Sequence, residues 1–381
     1  MSSAEEVRAQ AMEVAAGWSP KDAPDSWRLT AELFRVIAAH EGLLHRLAAL
    51  PADRLPALLA SAAIRFLVRR DQPEPLARYF PEPGEPQPAF DTGFYVAARQ
   101  FISARLDDLM TECGRRRYQM NEAARCAQIA YAIAATTHSR STPVGLVDLG
   151  TGAGLGLQID RYRYAAGGRA PGPSSEDLSL YCDVRGAVLP PRLDLPPIAE
   201  RAGIDIAPID LQDAEARAWL IACAPPEASA LTRLAAAVEV TRRYPTMIVA
   251  GDVVANLPDV LHQFDPGLRV IVTDAYLAVF LPPERRTDLT KIMAEAGRVR
   301  PVTWLSLDPL VPLGPSGRES VQDLELPPQL IDGYQQDGVF AVLGARTFDR
   351  GTDRGRLLAR AHPSGQWIEW LDRESGQVVA N

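Results

Sequence analysis

Lysine is nearly absent from this chain. Of its 40 basic residues only Lys21 and Lys291 are lysine, and the rest are arginine, an excess we read as the codon preference of a GC-rich genome. With 48 acidic residues against them, the net charge is −8 and the pI about 5.3. No global basic field therefore exists to draw in nucleic acid or an anionic membrane. The longest basic cluster, Arg115-Arg116-Arg117, is flanked by Glu112 and Glu122 and reads as a solvated helix end. Cysteine is scarce as well: Cys113, Cys126, Cys182 and Cys223 form no C-x-x-C pair and have no histidine at ligand spacing. That excludes a disulfide framework and a zinc site, so no metal is expected, and it fits reduced thiols in a cytoplasmic protein. The five histidines (His40, His45, His138, His262, His362) never fall at the i,i+4 spacing that shares one helix face. There is no run of about 18 apolar residues to span a bilayer, and the polar, acidic start Met1 to Gln10 is no signal peptide. A soluble protein without membrane attachment is expected. No Gly-x-Ser-x-Gly elbow occurs, so a hydrolase reading has no support.

What is present is enough apolar material for a large core, 47% of 381 residues, and one glycine-rich stretch that organises the rest. Val144 to Leu149, entered through Pro143, is a short apolar run that reads as a buried strand. Gly150-Thr151-Gly152-Ala153-Gly154 follows, and then Leu155, Leu157 and Ile159 open a helical pattern towards Tyr164. Strand, glycine turn and helix together hold an adenosine-bearing ligand, because bare backbone approaches a ligand closely. Spacing narrows the choice. The dinucleotide pattern G-x-G-x-x-G places its third glycine on Leu155 or Leu157, so it fails in both registers. The phosphate-cradling loop fails because the region has no lysine. Asp-x-Gly-x-Gly-x-Gly remains, filled by Asp148, Gly150, Gly152 and Gly154.

Residues 1–140 read as an all-helical domain, with helices over Trp27–Leu50, Ala57–Arg70, Phe94–Met110 and Gln119–Thr136, and a proline-dense crossing from Pro73 to Pro88. Such a layer would serve as a cap over a ligand or as a homodimerisation platform. From residue 141 to 381 the texture alternates between strands and helices, the signature of a doubly wound parallel α/β sheet. After a Gly/Pro/Ser-rich insertion (Ala165 to Ser175) come candidate strands at Leu178–Val184, Arg201–Pro208, Thr246–Val254, Arg269–Thr273 and Val302–Leu307. Leu211–Arg243 reads as helical with a break at Pro225-Pro226, and Pro283–Gly297 as a further helix. Val339–Phe348 and Arg356–Ala361 read as a closing antiparallel pair.

The Asp-x-Gly-x-Gly-x-Gly turn resembles the first motif of the class I S-adenosylmethionine-dependent methyltransferases. That resemblance implies a Rossmann-like, seven-stranded sheet over residues 141–381. It also implies a ribose-holding acid ending the second strand, which Asp205 in Gly203-Ile204-Asp205-Ile206 matches, with Asp183 and Asp210 as alternatives. An acid near the adenine is matched by Asp252 of Gly251-Asp252. A second, longer resemblance is to a bacterial family of unknown function. Its marks here are Gln119-Met120-Asn121-Glu122 with Arg125, Ala153-Gly154-Leu155 followed by Asp160-Arg161-Tyr162-Arg163-Tyr164, and His362 to Trp367 with Trp370. Met120 stands where the family has threonine, and Pro363-Ser364 widens the last motif. This resemblance carries no activity with it, because fold does not fix reaction.

The expected cofactor is S-adenosylmethionine, held by Asp148, Gly150, Thr151, Gly152, Gly154, Asp205 and Asp252. Asn121, Glu122 and Arg125, placed on one helical face, are expected either to grip its amino-acid end or to form a solvated i,i+3 pair. Asp274 and Tyr276, following the fourth strand of the fold, are candidates for taking a proton from the acceptor. The expected function is methyl transfer to a small molecule. The alternatives are use of the aminopropyl arm with release of methylthioadenosine, or a non-catalytic relic of the fold.

Overall fold

The computed structural model describes residues 3–19, 25–137, 141–166, 178–189, 192–309, 320–327, 330 and 340–371. His138 and all but the first two residues of the Ala165–Ser175 insertion lie outside the described residues, as does Val339 at the start of an expected strand. The chain divides into two compact units, residues 1–121 with 209–236, and residues 122–208 with 237–381. Position 140, where the sequence texture changes, thus falls inside the second unit.

The first unit is helical. Helix α1 (Ala4–Gly17) starts from a capping box, in which the Ser3 hydroxyl accepts the Glu6 amide and the Glu6 side chain accepts the Ser3 amide. Its Val7, Ala11 and Ala15 stripe is buried. The stretch expected as one helix from Trp27 to Leu50 is two, α2 (Asp25–Ala38) and α3 (Glu41–Leu47). His40 separates them, its Nδ1 accepting the Leu43 amide at 3.1 Å as the cap of α3. Helix α4 (Pro56–Asp71) begins with Pro56, whose missing N–H costs nothing there, and buries twelve residues on every side. Phe94–Met110 is likewise split at Arg105 into α5 (Gly93–Ala104) and α6 (Leu106–Arg115). Counting the elements in chain order, α7 (Arg125–Thr136) belongs to the second unit. Helix α8 (Ala214–Cys223) and the first half of α9 (Ala228–Arg243) return to the first, separated by the expected break at Pro225-Pro226. Within that unit the rings of Phe66 and Trp219 meet edge to face, and the Arg116 guanidinium lies over both, 4.6 and 5.1 Å from their centroids, which ties α4 to α8.

The second unit holds a ten-stranded, mostly parallel sheet, so the structure is mixed α/β with eleven α-helices among the described residues. The strands are β1 (Val144–Leu149), β2 (Arg163–Ala166), β3 (Ser179–Arg185), β4 (Ile198–Asp205), β5 (Met247–Ala250), β6 (Arg269–Ala275), β7 (Val302–Pro309), β10 (Ala341–Asp349), β11 (Thr352–Ala361) and β12 (Trp367–Trp370). A separate hairpin pairs β8 (Ser320–Val321) with β9 (Leu324–Glu325). The sheet order is β2-β3-β12-β11-β10-β7-β6-β1-β4-β5. The segment β5-β4-β1-β6-β7 is parallel throughout, and its apolar strands are covered by α10 (Val253–Gln263) and α11 (Pro283–Val299) through Leu257, Leu261, Leu289 and Met293. Helix α7 contacts β3, β6, β7 and β10, and every residue from Cys126 to Ile133 is buried, as a helix apolar all round requires.

Three further sequence expectations change. The pattern from Leu155 to Tyr164 is not a helix but a four-residue 3-10 turn (Leu155–Gln158) leading into β2. Tyr162 and Tyr164 alternate as in a strand, and their hydroxyls donate to the carbonyls of Leu155 and Ile159. Thr246–Val254 is strand only to Ala250, because Asp252 caps α10. Gln119–Thr136 is helical only from Arg125.

Candidate functional site

Strand order reverses at β1. The chain proceeds from β1 to β4 and β5 on one side, then to β6 and β7 on the other. At such a reversal the loops leaving adjacent carboxyl ends diverge and leave a crevice. The β1 ladder sets Asp148 opposite Gly203 and Thr273, and Leu149 opposite Ile204 and Asp274. Several of the expected residues therefore arrive at one sheet edge by register alone.

The turn leaving β1 has Gly150, Gly152 and Gly154 at φ of +67°, +56° and +77°. This left-handed backbone is cheap only without a Cβ. The Ile204 carbonyl accepts the Gly150 amide at 2.8 Å, and the Asp205 Oδ2 accepts that of Gly152 at 2.8 Å. Asp205 Oδ1 accepts the Ala207 amide at 2.7 Å, so this nearly buried carboxylate fastens the tip of β4 to the glycine turn. Gly150 itself is exposed.

Asp148 is half-buried and fixed by two hydroxyls: Thr151 Oγ1 donates to Oδ2 at 2.7 Å, and Thr273 Oγ1 to Oδ1 at 2.8 Å. A Cβ on Gly156 would stand 2.6 Å from Asp148 Oδ2, so glycine there makes room for the acid. Burial pushes the Asp148 carboxyl up to about 6; the two threonine hydroxyls oppose the shift and Asp205 adds to it.

Asp274 is buried and held through both oxygens, with Trp304 Nε1 donating to Oδ2 at 2.7 Å and Ser306 Oγ to Oδ1 at 3.0 Å. It locks β6 to β7. Trp304→Phe is expected to destabilise the fold by about 2–4 kcal/mol, because it strips a donor from a buried carboxylate. Urea unfolding checks this, and a change below about 0.5 kcal/mol would show that Asp274 does not depend on the indole. Two residues on, Tyr276 sits at φ +67°, an outlier for a bulky side chain and a place where local strain marks a held geometry. The Arg125 guanidinium lies 4.0 Å from the centroid of the Tyr276 ring, and Arg125 Nε donates to the Pro363 carbonyl at 2.7 Å.

Pro363 belongs to the β11–β12 turn. Because β10 is antiparallel to both β7 and β11, Ala361 ends level with Pro309 of β7, and the His362–Gln366 turn lies at the same edge as the glycine turn. A Cβ on Gly365 would stand 2.4 Å from the Ala124 backbone, so the turn packs directly on the approach to α7. Burial pushes His362 down to about 4, with Arg185 and Arg125 adding to it, and its Nδ1 accepts the Ser364 amide at 3.1 Å. It is therefore neutral at pH 7.

Asp148, Gly150, Thr151, Gly152, Gly154, Asp205, Asp274, Tyr276 and Arg125 gather at the carboxyl edge of the second unit. Asp252 follows the carboxyl end of β5 at the same edge, where the Gly251 amide donates to the Asp205 carbonyl at 2.8 Å, and it also caps α10: burial would raise its pKa, but the Ala255 amide and the Arg285 guanidinium outweigh it and hold the carboxyl low. Asn121 and Glu122 do not share a helical face with Arg125, because both precede α7. Asn121 Nδ2 is 3.4 Å from Gln119 Oε1, and Glu122 Oε1 accepts the Ala124 amide. Of the rival acids, Asp183 is exposed on β3 and Asp210 falls in the first unit. Sequence reasoning did not single out Thr273 or Trp304, although Thr273 adjoins Asp274; the stretch from His362 to Trp367 was marked only as part of the family resemblance, with no place at this edge assigned to it.

Among the described residues no group of three His, Cys, Asp or Glu side chains is placed to hold a metal ion, and no helix is long and apolar enough to cross a membrane. A search of curated proteins finds no match. Among solved structures, the one titled "Crystal Structure of SCL7 in Oryza sativa" aligns at 13% identity over 81% of this chain, with a TM-score of 0.24. The chain spans 65% of that protein's length, and a likeness this slight carries no argument. The family model described as "Uncharacterized protein conserved in bacteria (DUF2332)" matches residues 5–370, and the chain belongs to that family.

Proposed function

We propose that the carboxyl edge of β1 and β6 binds S-adenosylmethionine and that the protein transfers its methyl group to a small molecule. The observation that carries this reading is the turn of three left-handed glycines at the point of strand reversal, flanked by Asp148 and Asp205. The residues suit the group. Gly150 presents exposed backbone, two carboxylates offer charge to an ammonium and to vicinal hydroxyls, and Arg125 offers a guanidinium to a carboxylate. The 3-10 turn is too short to supply a helix N-terminus for the cofactor's carboxylate, and Arg125 is the cation that meets it in this scheme.

When bound, the sulfonium supplies an electrophilic methyl carbon and a thioether leaving group. Everything else falls to this chain. Asp148 holds the amino group, Asp205 the hydroxyls, and the Tyr276 ring under Arg125 sets the wall against which an acceptor lines up. Asp274 is the positioning residue in this scheme: held through both oxygens by Trp304 and Ser306, it fixes the β6 tip that carries Tyr276.

Calorimetry of the full chain with S-adenosylmethionine tests the reading, with a dissociation constant in the range of roughly 1–100 μM expected. The absence of any saturable heat leaves a fold without this cofactor. Where binding is found, the product separates methylation (S-adenosylhomocysteine) from side-chain chemistry (methylthioadenosine).

A further inference from the structure

Between β6 and α11 the chain makes a short loop, Tyr276 to Pro282, that is pinned at several points. The Tyr276 amide donates to the Leu307 carbonyl at 2.9 Å, and the Val279 amide to Asp308 Oδ1 at 3.2 Å. Asp308 is fully buried, so a group that is costly to bury holds a backbone amide of this loop. A 3-10 turn over Ala278–Phe280 closes with the Phe280 amide donating to the Leu277 carbonyl at 2.9 Å. Leu277 lies against the glycine turn, since a Cβ on Gly150 would stand 3.2 Å from its Cδ1. On this fixed loop the Phe280 side chain is left 44% exposed. The chain leaving β4 shows a similar feature. Ile204 is buried in the core under α10 and α11, and Ile206, two residues on along the same face, is 65% exposed just past the strand end. Both β4 and β6 neighbour β1, so the two segments leave the sheet two strand spacings, about 10 Å, apart.

We propose that Phe280, with Ile206 on the other side of β1, seats the methyl acceptor, and that the acceptor is a neutral molecule with a flat apolar body. This rests on the reading of the same edge as the cofactor crevice and adds the substrate class to it. Rigidity is the first argument. A ring carried on a pinned turn gives up little freedom when a flat molecule settles on it, and offset or edge-on contact between rings adds to the apolar area covered. Charge is the second. Asp148 and Asp205 are assigned to the cofactor, Asp252 is paired with Arg285, and Asp274 is held by Trp304 and Ser306. A charged acceptor would have to draw one of these groups from its partner, whereas an apolar one displaces only water.

The test is calorimetry of the full chain with 2-naphthol, its saturated counterpart decahydro-2-naphthol and the charged 2-naphthoate, none of which needs turnover to be read. Saturation by 2-naphthol is expected below about 1 mM, with the other two weaker by about fivefold or more. Phe280→Ala should weaken 2-naphthol by about tenfold or more, and Phe280→Trp should keep its affinity. Both variants should melt within about 2 °C of the natural chain, because the ring is largely outside the core. Absence of saturation by 2-naphthol up to about 10 mM overturns the proposal, and so does unchanged affinity in Phe280→Ala. Tighter binding of the naphthoate overturns it too, by showing that charge and not the ring selects the guest. Loss of S-adenosylmethionine affinity in Phe280→Ala, with naphthol binding undiminished, places the ring against the cofactor and has the same consequence. The two readings fail separately: a chain that gives no heat with S-adenosylmethionine yet binds 2-naphthol through Phe280 loses the cofactor and keeps the apolar seat.

Discussion

Gly152→Val is expected to abolish S-adenosylmethionine binding, by more than about 100-fold in affinity, while the chain still folds. Gly152 has φ +56°, and a β-branched residue held there is strained by on the order of 2 kcal/mol. The chain escapes that strain by rotating the turn. Rotation withdraws the Gly152 amide from Asp205 Oδ2 and releases the β4 tip from the turn. Two of the groups proposed to face the ligand, the bare backbone and the Asp205 carboxylate, are displaced by the same movement. The cost to the fold is local, because the surrounding strands are held by their own ladders and by the core on α10 and α11. Circular dichroism and thermal melting establish the fold, and calorimetry then reads the binding. Undiminished affinity in a folded variant would remove this turn from the ligand site.

That prediction rests on the part of the chain most legible from sequence. A buried strand, an acid and three alternating glycines are local features, and a left-handed turn follows from them with little help from the rest of the molecule. The α/β alternation and the closing antiparallel pair were legible for the same reason. What the sequence concealed depended on partners far away. Leu155, Ile159 and Tyr162 fall at helical spacing, but pairing of Arg163–Ala166 with β3 draws the end of the segment into a strand. Helix α7 starts at Arg125 rather than Gln119 because Glu122 caps the Ala124 amide and Gly365 packs on Ala124, a contact 241 positions away in sequence. Helix α8 shows nothing in its composition to say which core it joins. Its Trp219 meets Phe66 and Arg116, and that contact, not any local signal, places it with the first unit. The site shows the same division. Asp148 and Asp205 were readable as strand-end acids, whereas Trp304 and the His362–Gly365 turn reach the edge only through sheet order.

Asp148→Asn is expected to raise stability and lower ligand affinity in one variant, a combination that separates a functional acid from a structural one. Burial lifts this carboxyl to about 6, against about 3.9 in an unfolded chain. The folded protein therefore holds the proton over a range where the unfolded chain has released it. Its contribution to stability is greatest below the unfolded value and is lost as pH rises through about 6. Asparagine does not titrate, and the Thr151 and Thr273 hydroxyls can pair with an amide as well as with a carboxylate. Relative to the natural chain, the variant should gain stability between pH 4.5 and 7.5. The gain should be on the order of 1 kcal/mol, since the group keeps a window onto solvent. Urea unfolding at the two pH values measures it, and parallel pH dependence in the two proteins would show that Asp148 does not titrate in this range. Affinity should move the other way. If Asp148 meets the ammonium of S-adenosylmethionine, the variant loses about 10- to 100-fold at pH 7.5, and the natural chain drifts towards the variant's affinity as pH falls through 6. A carboxylate kept only to brace Thr151 and Thr273 would leave binding flat across that range. An acid retained at a cost to folding, and needed in its charged form by the ligand, is what a binding crevice at this edge requires.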